Sequence, residues 1–198
     1  EAGHAFQAYL AMRTILLPDQ MQAPIEICEV HSMSMEHFTY PWMELFFGDK
    51  ADKYRYAHLA SALRSIPYLC AVDDFQHRVY AKPDMSREER YAAWHAVEEL
   101  YLPWRDYDGN AFLEKGGFWM QQQHIFLYPF YYIDYALAQM GAFNFYLKML
   151  TDREAAFNDY LKLCRAGGTV GYKALLAVGG LDDPFKEGTV EKIGKAVE

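Results

Sequence analysis

The chain begins with an acid and a histidine that are spaced so that both can face one side of a helix. Glu1 and His4 are three positions apart, in a segment with helical spacing of its apolar residues. A zinc-binding helix of the His-Glu-x-x-His type uses two imidazoles, one turn apart, as metal ligands and the glutamate as general base. The chain supplies the glutamate and the second histidine of that pattern. The same spacing is also that of an ordinary surface pair on a helix.

Two further acids, Glu29 and Glu36, lie seven residues apart in a second helical segment. That interval places them on one helix face, within about 20° of each other. Two carboxylates on an otherwise apolar stripe are costly to bury without a cation or hydrogen bonds. One acid that binds a metal, and one that orients a ligand histidine, would account for both. The alternative is a solvated helix face. His31 lies about 200° around the helix from Glu29 and should point away from a metal.

A third group of residues combines a histidine with several tyrosines. On a helix, His124, Tyr128 and Tyr135 would share a stripe, with Tyr131 and Tyr132 beside it. Neutral hydrogen-bond donors in such a stripe suit the stabilisation of a developing oxyanion during peptide hydrolysis. The alternative is an aromatic core whose hydroxyl groups reach its edge.

Taken together, these three segments resemble the zinc metallopeptidases of the thimet oligopeptidase and oligoendopeptidase F family, in particular its bacterial oligoendopeptidase branch. The resemblance covers residues 1–198 as the C-terminal part of a metallopeptidase catalytic domain, starting inside the His-Glu-x-x-His helix. It implies an all-α, multi-helix, zincin-like catalytic region that is part of a larger helical peptidase.

The resemblance assigns the metal-site roles to the first two segments. Glu1 matches the general base, and His4 matches the second zinc-binding histidine; the first would be the residue immediately before Glu1. Glu29, which lies 25 residues after His4, matches the third zinc ligand. Glu36 matches a second acid near the zinc site. One zinc ion is therefore implied for each intact active site.

The resemblance assigns substrate roles to the third segment. His124 matches a histidine that contacts the substrate backbone, and Tyr128 and Tyr135 match two tyrosines that stabilise the tetrahedral intermediate. The thimet-like members have a glycine-rich loop, one residue longer, between the histidine and the first of these tyrosines. Because this chain differs there, Tyr131 or Tyr132 could take the place of Tyr128.

The function that the resemblance implies is a zinc endopeptidase whose substrates are short oligopeptides, and the cysteine content predicts a cytoplasmic location. We expect the 198-residue segment alone to be inactive and to bind zinc weakly or not at all, because one of the three protein ligands lies outside it. Two alternatives stay open. One is a non-enzymatic helical module with a tyrosine-lined peptide groove, and the other is a different gluzincin-type metallopeptidase.

Composition excludes several other classes of function. The 19 basic and 27 acidic residues give a net charge of −8, which argues against nucleic acid or an anionic membrane as a partner. No uncharged apolar run reaches the roughly 18 residues that span a bilayer. Three widely separated cysteines are typical of reduced thiols in a cytosolic protein.

The elements that must position these residues are all predicted to be helices in one compact region. Two capping boxes, Ser86-x-x-Glu89 and Thr151-x-x-Glu154, mark helix starts. Four histidines have no mate at ligand spacing and are predicted to be surface or interface groups: His37, His58, His77 and His95. The main helical segments are predicted at 1–17, 24–41, 51–65, 67–82, 86–100, 118–150 with an interruption at Pro129, and 151–167, followed by short helices from 169 and near 187.

Overall fold

A computed structural model of the chain describes residues 1–197. Within those residues the secondary structure is helical and contains no strand, which confirms the all-α prediction. The α-helices are α1 (Ala2–Thr14), α2 (Ile25–Phe38), α3 (Glu44–Phe47), α4 (Ala51–Ala81), α5 (Arg87–Tyr101), α6 (Gln123–Leu127), α7 (Tyr132–Thr151), α8 (Arg153–Ala166), α9 (Tyr172–Gly179) and α10 (Thr189–Val197).

The prediction of two helices on either side of Pro67 is wrong. A single helix of 31 residues, α4, runs through this position. Proline removes one backbone hydrogen bond within a helix, but its fixed φ is compatible with helical geometry, so it need not end the helix. A helix of this length retains enough other backbone hydrogen bonds to continue past the missing one.

The two predicted capping boxes have different outcomes. At the start of α5, the Ser86 hydroxyl accepts the Glu89 N–H at 3.1 Å, and the Glu89 carboxylate accepts the Ser86 N–H at 2.7 Å. At the start of α8, the predicted cap is wrong by one residue. Thr151 ends α7, and Asp152 is the cap, with its carboxylate accepting the Ala155 N–H at 2.9 Å. Aspartate caps a helix as well as threonine does, so the motif did not distinguish them.

The interruption predicted at Pro129 is confirmed, and it changes the geometry of the third segment. Helix α6 ends at Leu127 and α7 begins at Tyr132. Phe130, between them, has a φ of +62°, which a helix cannot contain. His124 and Tyr135 therefore lie on different helices, and the stripe on one continuous helix is not formed.

The chain divides into two compact units, whereas the sequence suggested one compact region. The first unit comprises Glu1–Leu63 and the described residues from Leu137 onward, and the second comprises Arg64–Ala136. The divisions fall within α4 and α7.

The first unit contains the helices that carry Glu1, His4 and the two acids. Helix α1 packs against α2 and α8, and α8 packs against α9. The core between these helices includes Ile27 and Val30 from α2 and Tyr160 and Leu163 from α8, all fully buried. Because one face of α2 packs into the core, the opposite face of this helix points away from the core.

The second unit has its own aromatic core. Phe75 and Trp94 are almost completely buried, and their rings meet edge to face with centroids 5.2 Å apart. Trp119 packs against Phe75 with a centroid distance of 5.1 Å. This core supports the short helix α6, which contributes Ile125 to it. Across residues 1–197, no helix is long and apolar enough to cross a membrane.

Candidate active site

His4 and Glu29 come together where α1 meets α2. The Nε2 atom of His4 lies 3.5 Å from Oε2 of Glu29. The exposed fraction is 34% for the histidine side chain and 14% for the glutamate side chain, so the pair is partly shielded but reachable from solvent. Two residues that are 25 positions apart in the sequence thus form one pair of potential ligands.

Gly3 permits the close approach of the two helices at this pair. A Cβ atom at position 3 would lie 2.2 Å from the carbonyl oxygen of His31 and 2.7 Å from the Cα of Ser32. Both distances are far below van der Waals contact, so no larger residue fits without displacing α1 from α2. Gly3 therefore allows α1, which carries His4, to approach α2 this closely.

Ser32 orients the carboxylate of Glu29. Its hydroxyl lies 3.0 Å from Oε2 of Glu29 and also 3.0 Å from the Glu29 backbone carbonyl oxygen, so it is placed to donate to either. Ser32 was not among the site residues predicted from the sequence. Its position three residues after Glu29, on the same side of the helix, was the available signal.

The donor atoms of this pair fit a zinc ion. Imidazole nitrogen and carboxylate oxygen are both common zinc ligands, with bonds of about 2.0–2.2 Å. Two such ligands on a tetrahedral ion are about 3.3 Å apart by simple trigonometry, close to the observed 3.5 Å. Within residues 1–197, no three histidine, cysteine, aspartate or glutamate side chains are arranged to hold a metal, so a full set of protein ligands needs a further residue.

Glu1 lies at the start of the helix that carries His4. It is the N-cap residue of α1, and its carbonyl oxygen accepts the Ala5 N–H at 3.1 Å. Its side chain is exposed. Glu1 therefore lies three residues before His4, the candidate ligand, and its carboxylate is accessible to solvent.

Glu36 is bonded to a histidine on α4. The Nε2 atom of His58 lies 2.8 Å from a carboxylate oxygen of Glu36, and Nδ1 of His58 lies 2.5 Å from the Tyr40 hydroxyl. The hydrogen bond with His58 is the main cause that lowers the pKa of Glu36, and the charge of His58 lowers it further, whereas burial opposes the shift. Glu36 is thus held as a carboxylate.

Of the four histidines predicted at the surface or at an interface, two are exposed and two are not. His77 and His95 are exposed and face Asp73 and Glu99 on their own helices, as expected. The prediction is wrong for His37, which is 1% exposed, and His58 is mostly covered. Aromatic rings surround His37, a feature that ligand spacing in the sequence could not reveal.

Two buried histidines on α2 are held neutral. Burial lowers the pKa of both His31 and His37 to about 3. His31 lies in the core, with Nδ1 3.4 Å from the sulfur of Cys164. Neither histidine is placed as a metal ligand with Glu29, which leaves His4 as its imidazole partner.

In the second unit, His124 lies among the tyrosines predicted with it. Its ring centroid is 6.1 Å from that of Tyr128 and 6.3 Å from that of Tyr135. Tyr131 stacks on it at 5.9 Å, and Tyr132 is nearest at 4.9 Å. Tyr128 is 60% exposed, whereas the other three tyrosines are half-buried.

Gln122 fixes the orientation of the His124 ring, which the sequence analysis did not foresee. The Tyr68 hydroxyl donates to Oε1 of Gln122 at 2.7 Å, so the amide nitrogen faces His124. That nitrogen lies 3.0 Å from Nδ1 of His124 and donates to it. Nδ1 is then the acceptor of a neutral ring, and the proton is on Nε2. His124 therefore offers an N–H donor at Nε2.

The comparisons with known proteins agree on one family. The sequence profile of peptidase family M3 matches residues 1–195. The chain matches none of the curated proteins. Among solved structures, it is similar to a protein assigned as oligoendopeptidase F, with 51% identity and a TM-score of 0.96. It is also similar to PZ peptidase A with an inhibitor (49% identity, TM-score 0.95) and to a protein from Bacillus anthracis assigned as oligoendopeptidase F (43% identity, TM-score 0.84).

These similarities extend over the whole chain but over only part of each relative. They cover 100% of this chain, and 35%, 35% and 32% of the three solved chains in the same order. The chain thus spans about a third of the length of these relatives, as a segment of a larger helical peptidase does. The profile match and the identities of 43–51% lead to one conclusion: the chain belongs to peptidase family M3.

Proposed function

We propose that the intact protein containing this chain is a zinc-dependent endopeptidase that hydrolyses short oligopeptides. The observation that carries the proposal is the 3.5 Å approach of His4 Nε2 to Glu29 Oε2. Membership of peptidase family M3 and the similarity to oligoendopeptidase F structures support it. Because the chain spans about a third of those structures, the activity is proposed for the intact protein, and the segment alone is expected to be inactive.

His4 and Glu29 would hold the zinc ion together with a histidine immediately before Glu1. When bound, zinc would supply a Lewis acid that polarises the scissile carbonyl group. Ser32 would keep the Glu29 carboxylate in place through its hydroxyl group. Glu36, held ionised by His58, would serve as the second acid near this site by accepting a hydrogen bond from a ligand histidine.

Glu1 would act as the general base of the reaction. Its carboxylate would accept a proton from the water molecule that attacks the scissile carbonyl carbon. It would then deliver this proton to the nitrogen of the leaving amine, so that no net proton is gained or lost by the protein. An exposed carboxylate at the start of α1 is compatible with access to water.

His124 and the tyrosines would bind substrate oxygen atoms. His124, with its proton on Nε2, would donate a hydrogen bond to a carbonyl group of the peptide backbone. Tyr135 and Tyr128 would donate to the oxyanion of the tetrahedral intermediate. Tyr131 and Tyr132 contact the same histidine ring and stay alternatives to Tyr128.

The cytoplasm is the proposed location, on the basis of cysteine chemistry. All three cysteines of the chain are free thiols, as expected for a reducing compartment.

Burial raises the pKa of Cys28 to about 11 and that of Cys164 to about 12, so these thiols are poor nucleophiles. Peptide cleavage by a cysteine nucleophile is therefore not favoured at either position.

The variant Glu1→Gln in the intact protein tests the proposal. Glutamine keeps the size of the side chain but cannot accept the proton, so kcat for a quenched fluorescent oligopeptide should fall about 10²- to 10⁴-fold. The zinc content, measured by atomic emission, should stay at one ion per chain. Glu88→Gln, at an exposed acid on α5, is the matched control and should retain activity. Undiminished turnover by Glu1→Gln would remove Glu1 from the mechanism, and full activity after zinc removal would refute the metallopeptidase.

A further inference from the structure

A cavity of about 180 Å³ lies in the second unit, between α4, α5 and the segment around α6. Its walls are mainly apolar and include the side chains of Phe75, Ile125 and Phe126. Four residues with polar side-chain atoms also line it: Gln76, Tyr80, Arg90 and Trp119. No carboxylate does, although the chain as a whole has a net charge of −8.

Three of these four residues have a buried donor atom without a hydrogen-bond partner in the described part of the chain. These atoms are Nε2 of Gln76, Nε of Arg90 and Nε1 of Trp119. Gln76 is 1% exposed and Trp119 is 8% exposed. Buried donors are paired in the great majority of cases, and leaving one unpaired is costly. Three residues that line one small cavity thus carry such donors, and an acceptor held in the cavity would pair them.

The chemistry of the donors defines the acceptor. An indole N–H and an arginine N–H can only donate, and arginine also contributes a permanent positive charge. Arg90 forms no ion pair within residues 1–197; the one hydrogen bond of its side chain is the 3.2 Å contact to the Pro83 carbonyl oxygen. A carboxylate satisfies all of these conditions, since it has two acceptor oxygens and a negative charge.

The size and the walls of the cavity define the rest of the ligand. A volume of 180 Å³ corresponds to roughly six water molecules at about 30 Å³ each. It is smaller than the roughly 300 Å³ or more that drug-sized ligands occupy. A single amino-acid residue is therefore the right size, and the aromatic and aliphatic walls favour an apolar side chain.

We propose that this cavity binds the C-terminal residue of a peptide, with its carboxylate at Arg90, Gln76 and Trp119 and an apolar side chain against Ile125 and Phe126. The proposal rests on the proposed function, since it assumes that oligopeptides are the ligands. Ile125 and Phe126 directly follow His124 in α6, so the bound residue packs on the helix that carries the proposed substrate-binding histidine. The intact enzyme should accordingly prefer peptides with a free, apolar C-terminal residue.

A binding measurement tests the site independently of catalysis. The intact protein is labelled with 5-fluorotryptophan, and the ¹⁹F resonance of Trp119 is assigned by its loss in Trp119→Phe. N-Acetyl-L-leucine should shift this resonance, whereas N-acetyl-L-leucinamide should bind at least about tenfold more weakly, because a hydrogen bond to a charged group is lost. Equal binding of the acid and the amide would overturn the proposal.

Two variants test the donors. Gln76→Leu and Arg90→Met should each weaken binding of N-acetyl-L-leucine about tenfold or more. Gln76→Leu should also raise the melting temperature of the ligand-free protein, because it removes a buried donor that has no partner. Arg87→Met, at an exposed arginine of the same helix as Arg90, is the control and should bind like the wild type. A Gln76→Leu variant that binds normally would contradict the proposed site.

Peptide kinetics separate a failure of this site from a failure of the proposed function. A peptide with a free C-terminal leucine should have a KM about tenfold lower than its C-terminal amide, and Arg90→Met should abolish that difference. Cleavage with equal KM values for the two peptides would overturn the site while leaving the peptidase intact. Selective binding of N-acetyl-L-leucine by a protein that cleaves no peptide would support the site and refute the peptidase.

Discussion

Replacement of Gly3 by alanine should separate the two proposed zinc ligands of this chain. The new methyl carbon would lie 2.2 Å from the carbonyl oxygen of His31, a backbone atom that cannot move out of the way as a flexible side chain could. Ordinary contact begins near 3.4 Å. Helix α1 must therefore move away from α2 by about 1 Å, since interiors are close-packed and leave no slack.

The size of the effect follows from that displacement. Forcing a methyl group into a filled contact costs about 1–3 kcal/mol. The helix propensity gained by replacing glycine with alanine returns only about 0.5–1 kcal/mol. The clash therefore outweighs the gain. If the separation of His4 Nε2 and Glu29 Oε2 grew from 3.5 Å by about 1 Å, it would exceed the roughly 0.2 Å tolerance of metal-ligand distances.

Zinc affinity and thermal stability are the two quantities to measure. Competition with a chromophoric chelator should show zinc binding to the intact Gly3→Ala protein weakened about 10- to 100-fold, the range seen when ligand orientation is disturbed. Thermal unfolding in the presence of a chelator should show a lower melting temperature, because the clash does not depend on the metal.

Gly194→Ala is the matched control. This glycine lies inside α10, and a Cβ atom there would contact nothing within 4 Å. The variant should be slightly more stable than the wild type, by about 0.5–1 kcal/mol, with unchanged zinc affinity. A Gly3→Ala protein that matched the wild type in both measurements would refute the idea that helix approach at Gly3 sets the ligand distance.

Two further outcomes are expected. His37 has a pKa of about 3 in the folded chain against about 6.5 when unfolded, so the stability it contributes is present above pH 6.5 and falls as the pH drops toward 3. By pH 4.5 the free energy of unfolding is lower by about 2–3 kcal/mol on account of His37. Urea denaturation of His37→Leu should therefore show a fall in the free energy of unfolding between pH 7 and 4.5 that is smaller by this amount than the fall in the wild type. In the intact enzyme, Tyr135→Phe should lower kcat about 10²- to 10³-fold. Tyr128→Phe should lower kcat less, because the Tyr128 side chain is 60% exposed. Equal losses of kcat in the two variants would contradict that ranking.

Much of the fold could be predicted because helix signals are local. The capping box at Ser86 and Glu89 and the interruption at Pro129 both depend on residues within a few positions of each other. The continuity of α4 through Pro67 could not be predicted, because a proline permits either a helix end or a continued helix. The sequence signal at that position did not decide between the two.

The candidate site was predictable to the extent that its residues are paired by helix periodicity. The spacing of Glu29 and Glu36 placed both on α2, and that helix indeed carries them. The partners of these acids were not predictable, since His58 lies 22 residues after Glu36 on another helix. The burial of His37 depends in the same way on rings from distant parts of the chain, Phe143 and Tyr146.

The proposed ligand pair is positioned by the core of the first unit rather than by surface contacts. The carbonyl oxygen of His31 accepts a hydrogen bond from the buried Tyr160 hydroxyl at 3.0 Å. The same oxygen is the atom that a Cβ at position 3 would strike. The His31 carbonyl oxygen on α2 is thus bonded to α8 through Tyr160, and it also limits how closely α1 can approach at Gly3. The separation of His4 and Glu29 is therefore a consequence of how three helices pack, because each ligand projects from a backbone that the core has already fixed.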